Sequence, residues 1–100
     1  MVDNKVGTSS DQIFEALGIL QEECAEVIVE ISKCRRFGLD STHYKTALTH
    51  AVMLGIEVGD MLAMVDILVE QGILTVEELE IAKKNKKLKL KEWSNIYEQN

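Results

Sequence analysis

The 100-residue chain contains no proline, two cysteines and only five aromatic residues. Nothing in it builds a proline kink, and no segment alternates with the period of a strand. The cysteines, Cys24 and Cys34, have neither CxxC spacing nor a histidine partner at ligand spacing, which excludes the usual zinc patterns. They fall on one predicted helix, where ten residues rise about 15 Å, too far for a disulfide between them. Free thiols in a reducing cytoplasm are expected. Residues 1–12 are polar and do not read as a signal peptide. Residues 47–69 are long and apolar, but Glu57, Asp60 and Asp66 interrupt them, and acids are costly inside a bilayer. No membrane partner is expected, and the segment reads as a buried helix. Repeats, low-complexity linkers and EF-hand loops are absent as well.

What remains is a single domain, 1–100, rich in Ala, Leu, Ile, Val, Met, Glu and Lys, a composition that suits helices. Residues 1–10 and 94–100 read as loose ends. Ser9, Ser10 or Asp11 can cap a first helix, along which Ile13, Leu17, Leu20, Cys24, Val27, Ile31 and Cys34 form a heptad-like seam. Phe14, Ile19, Ala25, Ile28 and Val29 lie off that seam, so the helix is apolar on more than one side. Arg35, Arg36 and Gly38 mark its end. A connector over 39–45 leads to a second helix over roughly 46–71, apolar almost all round, with His50, Met53, Glu57, Asp60, Met61, Met64 and Leu68 on one broad face. Gly55 and Gly59 would admit another helix closely. Thr75 and Glu78 read as the capping box of a third helix. The fold class is all-α: long helices forming a four-helix-bundle-like core, completed by oligomerisation because so short a chain buries little surface alone. A homodimer or homotetramer is expected.

Charge is unevenly spread. The net charge is −6, yet Lys83, Lys84, Lys86, Lys87, Lys89 and Lys91 form a strip without acids. Elsewhere five basic residues face seventeen acidic ones, a net of −12. An acidic body with one basic strip is a poor general nucleic-acid binder, so no nucleic-acid partner is expected. It suits a small, highly charged ligand that needs both a cation and ammonium groups.

Two acid pairs carry the chemistry. Glu23-x-x-Glu26, preceded by Glu22, and Glu57-x-x-Asp60 each place two carboxylates on one helix face. If the helices face each other, four carboxylates meet, which requires protonation or a cation. All-oxygen sites favour Mg²⁺ or Mn²⁺. A di-iron bundle would need Glu-x-x-His motifs, and neither His43 nor His50 follows an acid at that spacing. Glu30, Glu70, Glu77 and Glu80 read as solvated surface acids. His50, Tyr44 and Trp93 could touch a base or sugar, with packing or simple exposure the simpler role for each; Met53, Met61 and Met64 read as core fillers.

Glu22-Glu23-x-x-Glu26 followed by Glu57-x-x-Asp60 resembles the EExxE…ExxD signature of the all-α NTP pyrophosphohydrolases, and most closely their MazG-like branch. The strings LQEECAEVIVEI, LGIEVGDMLAMVDIL and AKKNKKLKLKEW carry the resemblance, which covers most of residues 13–91. It implies metal ligands at Glu23, Glu26, Glu57 and Asp60, with Glu22 a supporting or base-like carboxylate. The later Asn-x-Lys element with a basic residue four beyond falls on Asn85, Lys87 and Lys91, implied phosphate contacts. Thirty residues separate Glu26 from Glu57, a long connector for the pattern, and Lys91 stands where the family often has arginine. The activity implied is Mg²⁺-dependent hydrolysis of a nucleoside triphosphate to the monophosphate and pyrophosphate. A non-enzymatic helical module for nucleotide binding or protein interaction is the alternative.

Overall fold

A computed structural model of the chain describes residues 5–99; residues 1–4 of the expected loose start and Asn100 of the expected loose end lie outside them. The described residues are all-α, with helices α1 (Ser10–Phe37), α2 (His50–Glu70) and α3 (Val76–Trp93). Each helix starts where a side chain can satisfy the first free amides. Ser9 caps α1 in a full capping box with Gln12, Thr49 accepts from the Val52 amide, and Thr75 accepts from the Glu78 amide. Gly38 (φ 94°) follows α1, and its amide bonds the Cys34 carbonyl. The second helix begins four residues later than the expected start near 46. Ala47 lies in the left-handed region at φ 59°, and the Thr42–Thr49 bridge holds the preceding residues as a folded loop.

Helices α1 and α2 pack antiparallel along their length. At one end Cys34 Sγ donates to the His50 carbonyl at 3.4 Å; at the other, Gln71 Nε2 donates to the carbonyls of Gly7 and Gln12 at 3.0 and 3.3 Å. Ala16, Met64 and Leu68 form the buried core, with Leu20, Ile67 and Leu74 packed against it. The inward stripe of α1 is not quite the expected seam. Ala16 and Glu30 are buried where Leu17 and Ile31 were expected, and those two are exposed. The inward line therefore runs through Ile13, Ala16, Leu20, Val27, Glu30 and Cys34, with Glu23 and Cys24 both half-buried: two members of the seam give way to their predecessors. This rotation of α1 carries two acids inward and leaves apolar side chains outside.

Helix α3 has no buried residue, and nothing ties it to α1 or α2 as α1 is tied to α2. The chain is accordingly open. Its radius of gyration is 17.0 Å, against about 13 Å for a compact domain of this length. No described helix is long and apolar enough to cross a membrane.

Candidate metal centre

The antiparallel pairing sets residues whose numbers sum to about 83 or 84 opposite one another, so Glu23 on α1 meets the Glu57–Asp60 turn of α2. One carboxylate oxygen from each of Glu23, Glu57 and Asp60 lies within 4.8 Å of the other two. Glu23 and Glu57 are half-buried, and Asp60 is exposed. Two oxygens on one Mg²⁺ stand at most about 4.2 Å apart, twice the 2.0–2.1 Å bond length. Three donors on one octahedral ion include at least two neighbouring pairs about 3 Å apart, so the three side chains would have to close in around an ion.

The electrostatics agree with that crowding. Partial burial, and then the charges of Asp60, Glu26, Glu23 and Glu30, push the Glu57 carboxyl above its ordinary value of 4.5. Nothing neutralises the three from within the described chain: the ion pairs there join Lys33 to Glu30 and Lys83 to Glu80. A hard divalent cation fits this donor set, since it needs oxygen ligands and supplies the missing positive charge.

Of the expected ligands, Glu26 stands outside the close trio. It is exposed, yet near enough to raise the Glu57 pKa. Glu22 is also exposed, one position away on α1. Asn85, Lys87 and Lys91 are exposed on α3, apart from the α1–α2 pair. Lys87 and Lys91 line a shallow hollow with Lys83 and Lys84, and Lys91 also sits 5.6 Å over the Tyr97 ring. Within one chain, the acids and the lysine strip are separate features. Both cysteines are free and half-buried, as expected.

Glu30 is the residue that the sequence reading misplaced. Expected at the surface, it is 4% exposed. One of its oxygens lies 3.4 Å from Lys33 Nζ, while Oε2 has no hydrogen-bond partner among the described residues. The available signal was arithmetic: Glu30 is one heptad beyond Glu23 and one turn beyond Glu26, on the same acid face. His50, a candidate for touching a base or sugar with packing or exposure the simpler role, is buried, and its Nδ1 has no hydrogen-bond partner among the described residues. Tyr44 and Trp93 are exposed, with Lys86 5.3 Å over the Trp93 ring.

Comparisons with family models, with characterised proteins and with solved structures return no match.

Proposed function

We propose that the chain is a Mg²⁺-dependent nucleoside triphosphate pyrophosphohydrolase, with Mn²⁺ as a substitute, converting a (d)NTP and water into the (d)NMP and pyrophosphate. The observation that carries this reading is the meeting of Glu23, Glu57 and Asp60 across α1 and α2. When bound, the cation would neutralise phosphate charge and acidify a water. Glu23, Glu57 and Asp60 would hold it, Glu26 would complete the set, and Glu22 would accept a proton as water adds at the α-phosphorus and the bond to the bridging oxygen breaks. Lys87, Lys91 and Asn85 would steady the departing phosphates.

The same reading includes a homo-oligomer, in which α1 and α2 of two copies make a four-helix-bundle-like core. Supporting it are the exposed apolar residues Phe14, Ile28, Val52, Ile56 and Leu62. Gly55 and Gly59 also have open space where a side chain would begin, so another backbone can approach. The accessible surface is 7986 Å², whereas a folded monomer of 11.3 kDa exposes about 5,700 Å². The excess of roughly 2,300 Å² is of the size that obligate interfaces cover. Assembly would also give α3 a surface to rest on and its lysines a route to a neighbouring acid centre. The cytoplasm, where Cys24 and Cys34 stay reduced, is the compartment assigned.

The test is pyrophosphate release from a panel of canonical and damaged (d)NTPs with and without Mg²⁺. Release from at least one nucleotide, abolished in Asp60→Asn with helical circular dichroism unchanged, is expected. No release from any nucleotide, or full activity in that variant, overturns the assignment.

A further inference from the structure

The loop joining α1 to α2 encloses a cavity of about 610 Å³, within the range of small-molecule sites. Four rings line it, those of Phe37, His43, Tyr44 and His50, together with the ammonium groups of Lys33 and Lys45. The rings are arranged against one another. Phe37 stacks on His50 with centroids 5.6 Å apart, His43 stacks on Tyr44 at 5.0 Å, and His43 meets His50 edge-on at 6.2 Å.

The loop is held in shape by its own bonds. The His50 amide donates to the Ser41 carbonyl at 2.9 Å, the Ser41 hydroxyl to the Gly38 carbonyl at 3.1 Å, and the His43 amide to the Leu48 carbonyl at 2.8 Å. His43 is committed locally, since its Nδ1 accepts from the Lys45 amide at 3.1 Å. His50 is different: it is 5% exposed, and its Nδ1 has no hydrogen-bond partner among the described residues. That nitrogen has almost no accessible surface of its own, so His50 serves the cavity wall through its ring.

Position ties this cavity to the acids. His50 and Glu57 are seven residues apart on α2, two turns or about 10 Å along one face. Lys33 lies between the two features, lining the cavity while its Nζ stands 3.4 Å from Glu30. A flat ring in the cavity would put a phosphate chain, extended along the α1–α2 seam, at the carboxylates. We propose that this cavity receives the heteroaromatic base of the nucleotide, stacked on its rings. The assignment of the phosphates to the acids rests on the hydrolase reading above; the ring-binding role of the cavity does not.

The test separates the two. The full chain, without Mg²⁺, is titrated with adenosine, guanosine, cytidine, uridine and thymidine while the aromatic carbon–proton NMR signals are followed. Saturable shifts confined to Phe37, His43, Tyr44 and His50 are expected for at least one nucleoside. Inorganic tripolyphosphate with Mg²⁺ should leave those rings unmoved. Tyr44 is 85% exposed, so Tyr44→Ala spares the fold and should weaken nucleoside binding about tenfold, the loss of one stacking partner. Absence of ring shifts with all five nucleosides, or unchanged affinity in Tyr44→Ala, overturns the proposal. Ring shifts in a protein that hydrolyses no nucleotide retain the cavity and discard the hydrolase. Pyrophosphate release without ring shifts does the reverse.

Discussion

Replacing Glu57 by glutamine tests the metal centre through stability as well as turnover. Glutamine keeps the shape of Glu57 and removes one of three carboxylates whose oxygens lie within 4.8 Å. The Glu57 carboxyl is shifted up from 4.5 by partial burial and by Asp60, Glu26, Glu23 and Glu30. A carboxyl with a raised native pKa holds its proton more tightly when folded. Native stability therefore falls as pH rises from 4.5 through the native value, and the penalty is full above it. Without metal at pH 7.5, Glu57→Gln should melt at a higher temperature than the wild type, and the gap should close below pH 4.5. Added Mg²⁺ should reverse the order. At a concentration ten times its Kd, a ligand that binds only the folded state contributes RT ln 11, about 1.4 kcal/mol. The unfolding entropy of 100 residues is about 0.21 kcal/mol/K, so the wild-type Tm should rise by about 7 °C. Pairing of chains doubles both sites and entropy and leaves that shift unchanged. In Glu57→Gln the rise should vanish, and kcat/KM should drop by more than about 100-fold, beyond the cost of losing a group that only supports a ligand. The assay is a thermal melt at pH 4.0 and 7.5, with a Mg²⁺ series at pH 7.5, beside pyrophosphate release. A wild-type Tm indifferent to Mg²⁺, or a variant that keeps the full shift, refutes the reasoning.

Other consequences follow from single residues. Glu30→Gln removes a negative neighbour of Glu57, so the Glu57 titration, followed by carboxyl carbon NMR, should move to lower pH, carrying the acid limb of the rate profile with it. Lys33, with a side chain 34% exposed, can turn to water, so stability should change by less than about 1 kcal/mol. Leu68 is 1% exposed and central to a three-residue core; Leu68→Ala should cost about 2–5 kcal/mol in urea unfolding. Replacing Lys87 and Lys91 together by alanine preserves helix propensity and should raise KM several-fold at low salt with kcat little changed. The difference from wild type should shrink by 0.5 M salt as screening grows; an unchanged KM at low salt would exclude the strip from substrate binding.

Much of the molecule was legible before any coordinates. Helix periodicity, the Thr75 cap, a first cap among Ser9, Ser10 and Asp11 that the structure places at Ser9, and the glycines after α1 and α2 are local signals, and local hydrogen bonding decides them, so three helices followed from the residues alone. The start of α2 did not, because the loop before it is fixed by a Thr42–Thr49 bridge and a left-handed Ala47, features with no strong imprint in composition. The acid pairs were visible as i, i+3 spacings, but spacing cannot say which face of one helix meets which face of another. That depended on α1 rotating so that Ala16 and Glu30 turned inward in place of Leu17 and Ile31, with Glu23 half-buried beside Cys24. A rule that sends apolar side chains inward selects the second set, because it assumes that everything to be buried is buried within one chain. Here Leu17 and Ile31 remain exposed and a carboxylate is buried. Residue type and spacing set the helices and the chemistry available to them; the rotation of α1 against α2, a balance of contacts far apart in sequence, decided which carboxylates meet.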